Sequence, residues 1–292
     1  MRSFASLLIT FVIGTFIMQP SAFAAEKIKA LIIDGQNNHK WQQTTPILKA
    51  ALESSGLFTV DVATSPAAKQ DMSGFKPDFA KYGVIVSNYN GDDWSADTKK
   101  AFEAYVSGGG GFVSVHAADN SFPKWAEYNK MIAVGGWGGR TAKSGPILRW
   151  RDDKQVTDAE GGHGQHGKYF SFLVEARNTQ HPIMQGLPQK WLHARDELYS
   201  TLCGPAENAT ILATAQSDTT HQNEPMLLVI SYGKGRVFHT TLGHDEESMK
   251  DVGFVTTLNR GAEWAATGKV TQPVPANFPG TEKVSVWTPP AN

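Results

Sequence analysis

The sequence predicts an α/β fold built on a mostly parallel sheet. Three observations predict it. Short apolar runs alternate with helix-spaced segments from residue 27 to about residue 132. Glycines close the apolar runs and the helices in turn, as strand–helix units require. The chain, 292 residues of which 40% are hydrophobic, is long enough to bury a substantial core.

Taken in order, Ile28–Asp34 is an apolar run closed by Gly35, the pattern of a buried strand. Between Thr44 and Ser55 the apolar positions Ile47, Leu48, Ala51 and Leu52 share one helix face, and Gly56 ends it. Phe58, Val60 and Val62 alternate in a second strand, and Tyr82–Ser87 reads as a third. Ser95 is placed to cap a helix running to Ser107, with Phe102, Tyr105 and Val106 inward. Gly108 to Gly111 stop that helix and lead into the strand Phe112–His116.

Residues 135–168 break the pattern. They hold nine glycines and little periodicity, together with Trp137, Arg140, Trp150, His163 and His166. A long insertion of this kind inside a domain reads as functional. Beyond it, Lys168–Val174, Thr210–Thr214, Met226–Tyr232 and Arg236–Thr241 read as strands, and Asp251–Ala266 as a last helix. From Lys269 onward the recurring prolines point to an extended arm.

At the other end, Arg2 precedes an apolar run from Leu7 to Met18, Pro20 breaks it, and Ala22-Phe-Ala24 supplies small residues. This is the pattern of a secretory signal peptide cleaved after Ala24 or Ala25. The expected organisation is therefore a leader over 1–25, one domain over 26–268 and a proline-rich tail over 269–292, with the mature chain exported to a periplasmic or extracellular space. No membrane attachment is expected once the leader is removed. With 27 Lys+Arg against 28 Asp+Glu, the chain lacks the basic excess that nucleic-acid binding needs. One cysteine, Cys203, excludes an internal disulfide and a cysteine-rich metal cluster.

In open parallel sheets, ligands bind beyond the carboxyl ends of the strands. Three such segments are polar and aromatic: Asp34 to Trp41, Ser87 to Trp94 and His116 to Phe122. Amides and carboxylates beside flat rings suit sugars, whose hydroxyls need paired hydrogen bonds and whose C–H faces stack. Val115-His116-Ala117 occupies the strand-to-turn position where hydrolases carry a nucleophile. Imidazole there serves as a general base or a metal ligand, not as an acyl carrier. His163 and His166 are spaced to give two ligands to a divalent cation, with His193, Asp196 and Glu197 as further donors. The first loop lacks a phosphate cradle, so no nucleotide or flavin is expected.

Together these segments resemble the trehalose-utilisation (ThuA-like) family, within the class I glutamine amidotransferase-like superfamily. The resemblance spans roughly residues 27–267 and is carried by Gly35–Trp41, Gly109–Asp119, His181–Pro188, Asp196–Tyr199, Glu224–Met226 and Gly233–Asp245. It implies a flavodoxin-like sandwich that has lost the amidotransferase cysteine, and a link to carbohydrate metabolism. By the same resemblance, His39, His116, Asp119, Glu197 and His244, with His166, are the positions to follow.

The expectation is an exported hydrolase or lyase acting on a glycoside or keto-sugar, assisted by one divalent cation such as zinc. His116, Asp119 and Glu197 form the catalytic set, with Asp119 orienting His116. His39, Trp41, Asn88, Trp94, Trp137 and His244 contact the sugar, and His116, His163 and His166 hold the cation. The alternative is a sugar-binding or accessory protein without catalysis. A flavodoxin-like redox protein is disfavoured by the first loop.

Overall fold

Strand β1 (Ile28–Asp34) buries both of its faces, Ala30 and Ile32 in one core cluster and Leu31 and Ile33 in the other. A strand with no polar face sits inside a sheet covered on both sides. The computed structural model describes Met1 and residues 26–159 and 164–290; the expected leader past Met1, and His163, lie outside the described residues.

Helix α1 (Trp41–Ser54) follows, three residues longer at its start than the apolar spacing indicates, then β2 (Phe58–Thr64) and β3 (Val84–Ser87). Helix α2 (Ala96–Ser107) is capped by Ser95, whose side chain accepts the Thr98 N–H. β4 (Gly111–Val115) and α3 (Ala126–Ile132) complete the first half. The second half contains β5 (Ile147–Arg151), β6 (Lys154–Asp158), β7 (Phe170–Ala176), β8 (Lys190–Asp196), β9 (Ala209–Gln216), β10 (Asn223–Tyr232) and β11 (Gly235–Thr240). The helices α4 (Glu246–Met249) and α5 (Val252–Thr267) follow. Helices α1 and α5 cover one face through Leu48, Leu52, Phe254 and Leu258. Helices α2 and α3 cover the other through Phe102, Val106, Tyr128 and Met131.

The sheet runs β2-β1-β3-β4-β11-β10-β9-β7-β8, with the β5–β6 hairpin attached to β10. It is mixed rather than mostly parallel. β2, β1, β3, β4 and β11 are parallel, and every pairing beyond β11 is antiparallel. The reversal comes from Gly233-Lys234, a two-residue link between β10 and β11 that permits only an antiparallel hairpin. Gly233 takes φ +59° there, and a Cβ on it would fall 2.7 Å from the Ser107 carbonyl oxygen.

The glycine-rich insertion also carries more structure than its composition indicates. β5 and β6 pair across Asp152-Asp153, both at positive φ (51° and 54°), a mirror-image turn made without glycine. Among the described residues the tail has no long element of its own, yet it is tied down. Leu192 N–H donates to Gly280 O, Val252 N–H to Ser285 O and Trp287 N–H to Lys250 O, at 2.7 to 2.9 Å. Phe278 packs edge-on against Trp191.

Candidate functional site

The carboxyl ends of the parallel strands converge. His39 follows β1, Asn88 and Asn90 follow β3, His116 follows β4 and His244 follows β11, while Glu197 enters from the end of β8. His116 is buried at φ +45°, a backbone region costly for a residue with a Cβ. The strand therefore ends in a strained elbow that lifts this imidazole into the crevice.

One ligand atom each from His39, His116, Glu197 and His244 lies within 4.8 Å of the others. Glu197 Oε2 is 3.3 Å from His116 Nε2 and 3.2 Å from His244 Nδ1. Neither ring nitrogen makes a hydrogen bond, although both are buried. Close approach without hydrogen-bond geometry is what a set of lone pairs aimed at a shared point gives. His116 Nδ1 donates to Thr241 O at 2.6 Å, which fixes the tautomer and leaves Nε2 as the free donor atom. Three imidazoles and a carboxylate suit a borderline divalent cation such as zinc. These residues can hold one.

Burial, with the imidazoles of His116 and His244, pushes His39 down to about 3. Burial opposes ionisation of Glu197, yet His116 and His244 hold it well below the usual carboxylate range. His116 is raised, since the Glu197 and Asp196 carboxylates outweigh its burial.

A second, fully buried layer supports the cluster. Asp196 Oδ1 accepts the backbone N–H groups of Glu197 (2.8 Å) and His244 (3.0 Å). Its Oδ2 accepts those of Gly243 (2.8 Å) and the His193 ring (2.8 Å). His193 Nδ1 in turn lies 3.4 Å from Asp251 Oδ1. Burial opposes the charge on His193, but these two carboxylates raise it to about 9.

The family model described as ThuA, trehalose utilisation, matches residues 29–265. The chain belongs to the ThuA family. A ThuA-like protein from Parabacteroides merdae is 47% identical in sequence and superposes with a TM-score of 0.87, covering 89% of this chain and 98% of that one. A ThuA-like protein from Bacteroides uniformis, 20% identical, shares the fold at a TM-score of 0.57, covering 86% of this chain and 96% of that one. No curated protein matches the chain.

In this ThuA-family chain, two cavities meet at the cluster. One of about 430 Å³ is lined by Lys40, Gln43, His244 and the start of α4. The other, about 280 Å³, is lined by Asn90, Asn120, Trp137, His166, Glu197 and Tyr199. Asn38 and His39 border both. His166 stands at the rim, its Nε2 3.4 Å from Glu197 Oε1. The glycines of the insertion make this possible. A Cβ on Gly164 would lie 2.7 Å from Gly136 Cα and 2.8 Å from Trp137 N, so only paired glycines let the two segments close.

Other expected residues are placed differently. Trp94 is a core residue, packed among Phe75, Phe79, Tyr89, Phe102, Phe122 and Trp125, because an indole beside a turn found an aromatic cluster to fill. Asp119 is fully buried and pairs with His239 Nε2 at 3.2 Å; the Thr241 carbonyl, not Asp119, orients His116. Asn88 is buried and donates to Thr44 and Thr45 Oγ1, tying β3 to α1. Trp41 opens α1 and lines neither cavity. Cys203 is buried and free. Tyr199, which closes the Asp196–Tyr199 motif, is not among the expected site residues. Its ring lies 4.2 Å from that of His116 and 4.7 Å from that of Trp137. The signal for it was its place two residues after Glu197.

Proposed function

We propose that this protein is an exported carbohydrate-active enzyme, a hydrolase or lyase of glycosides or keto-sugars, that works with one divalent cation held by His39, His116, Glu197 and His244. The observation that carries the reading is the convergence of those four donors, two of them buried ring nitrogens without a hydrogen bond, at the floor of a two-lobed cleft. A cation bound there supplies Lewis acidity toward a carbonyl or hydroxyl oxygen.

The residues around it do the rest. Trp137, partly exposed at the cavity wall, offers a flat face for a sugar ring, and Asn38 and Asn90 offer amides for its hydroxyls. His166, partly exposed and beside Glu197 Oε1, is placed to move a proton at Nε2 between the cleft and solvent. The family's description as trehalose utilisation supports a carbohydrate ligand. The leader pattern in residues 1–25 supports export. The parallel strand order β2-β1-β3-β4-β11 follows the 2-1-3-4-5 order of flavodoxin-like sheets, which supports the amidotransferase-like assignment with His116 at the elbow.

Elemental analysis of the purified full chain, followed by turnover assays on glycosides and their keto forms with zinc added, tests the reading. It predicts one transition metal per chain and turnover that a chelator abolishes and His116→Ala lacks. Saturable sugar binding with no product under any metal would leave the accessory-protein alternative in its place.

A further inference from the structure

The proline-rich arm supplies no donor to the cluster, yet it grips the two segments that carry the cluster's support. Gly280 O accepts the N–H of Leu192, next to His193, at 2.7 Å, and Phe278 packs edge-on against Trp191 on the same strand. Ser285 O accepts the N–H of Val252 at 2.9 Å, and the Trp287 N–H donates to Lys250 O at 2.7 Å. These two bonds flank Asp251, which bridges Val286 in antiparallel register. The arm therefore holds the immediate neighbours of both His193 and Asp251. Its prolines fix φ at 273, 275 and 279, which lowers the entropy lost when the arm is laid down.

His193 and Asp251 face each other. His193 Nδ1 lies 3.4 Å from Asp251 Oδ1, and His193 Nε2 lies 2.8 Å from Asp196 Oδ2. Asp251 Oδ1 also caps α5 by accepting the Phe254 N–H at 3.0 Å. The packing leaves Gly253 no room for a side chain: a Cβ there would fall 2.8 Å from Asp251 Oδ1 and 2.9 Å from Trp191 Nε1. Asp196 ends the row by accepting the backbone N–H groups of Glu197, Gly243 and His244. All three side chains, His193, Asp196 and Asp251, are buried. A continuous buried line thus runs from the grip of the arm to two of the four donor residues.

Resting on the divalent-cation reading above, we propose that the C-terminal arm, residues 278–287, is a positioning element of the cation site. By holding β8 and the start of α5 together it fixes His193 against Asp251, and through Asp196 it fixes the backbone of Glu197 and His244. Coupling through such a packed line is reciprocal: loosening the arm weakens the cation, and binding the cation tightens the arm.

Trp287→Pro in the full chain tests this. It removes the N–H that reaches Lys250 O and keeps Val286 extended, as its bridge already requires. Zinc affinity, read by competition with a chromophoric chelator, is expected to fall roughly fivefold or more. Amide exchange is expected to quicken at Glu197, Gly243 and His244. A lower melting temperature with wild-type zinc affinity and unchanged exchange at those three amides would make the arm plain packing and overturn the inference. The wild-type chain gives a second test that needs no variant. Zinc should slow exchange of the Trp287 N–H, while the Lys234 N–H, bonded to Ser107 O at the end of β11 opposite the cluster, keeps its rate. Equal rates at Trp287 with and without zinc, or equal slowing at both amides, overturns the coupling and leaves the cation site intact. A wild-type chain that binds no zinc overturns the cation reading and this inference with it.

Discussion

The carboxylate of Asp196 accepts the backbone N–H of His244 at 3.0 Å, across 48 residues of chain, and with the same oxygen accepts the N–H of Glu197 at 2.8 Å. A single buried oxygen thus sets the backbone position of two of the four cluster residues. The other oxygen of that carboxylate is occupied by Gly243 and His193, so all its acceptor capacity is used.

Asp196→Asn keeps one acceptor oxygen and substitutes an amide donor for the other. It can serve the Glu197/His244 pair or the Gly243/His193 pair, not both. Second-layer substitutions of this kind cost about 10–100-fold in metal affinity. Competition with a chromophoric chelator should show zinc binding weakened by that factor, while the far-ultraviolet circular dichroism of the chain is retained. Wild-type affinity in the variant would dissociate Asp196 from the cluster.

His193 sets a pH dependence of stability. Its folded value, about 9, lies above the ordinary 6.5. A group raised in the folded state contributes stability that is fully present below about pH 6.5 and is lost as pH rises through 9. Urea unfolding should therefore give a midpoint that falls between pH 6.5 and pH 9.5. His193→Gln should flatten that fall and lower stability by about 3 kcal/mol at pH 6, since it leaves Asp196 and Asp251 buried without their cation.

Much of this architecture is legible in the sequence, and the exceptions share a cause. β1 announces itself as a continuous apolar run, and α1 by the apolar residues Ile47, Leu48, Ala51 and Leu52 on one face. β8 does not, because two of its buried positions are His193 and Asp196, which look like surface residues until each is seen to satisfy the other. The β5–β6 turn hides because Asp152-Asp153 adopts a geometry usually signalled by glycine. The site shows the same division. His39, His116, Glu197, His244 and His166 each stand out in the sequence. The union of the first four into one donor set depends on four separate segments meeting, which no spacing along the chain encodes. Trp94 fails in the opposite sense: a tryptophan in a polar loop reads as a platform, and only packing shows it to be core.

The strain at His116 gives an inverted substitution order. At most positions Gly is less stable than Ala by about 0.5–1 kcal/mol, through the entropy of the unfolded chain. At φ +45° that order should reverse, because Ala keeps the Cβ penalty and Gly does not. His116→Gly is expected to unfold at higher urea than His116→Ala, by about 1 kcal/mol, with both variants losing the Thr241 hydrogen bond and the metal site alike. A less stable glycine variant would show that the elbow carries no strain.

Arg140 holds the Trp137 loop without a carboxylate partner among its hydrogen bonds. Its guanidinium is buried and donates to the carbonyls of Asn120 (3.0 Å), Gly136 (2.8 Å) and Ser121 (2.8 Å), and twice to Asn129 Oδ1 (3.2 and 2.9 Å). Five contacts in one plane match the fork of arginine; a lysine ammonium has three donors around a point and cannot reproduce them. Arg140→Lys should leave at least one of these four acceptors unpaired, at about 1–3 kcal/mol. The loss should appear in two places at once: a lower melting temperature, and faster amide exchange confined to residues 120–122 and 135–140. Because Trp137 rides on that loop, sugar-induced quenching of tryptophan fluorescence should weaken in parallel. Unchanged exchange in the loop would mean that the glycine contacts, rather than the guanidinium, hold the Trp137 ring in place.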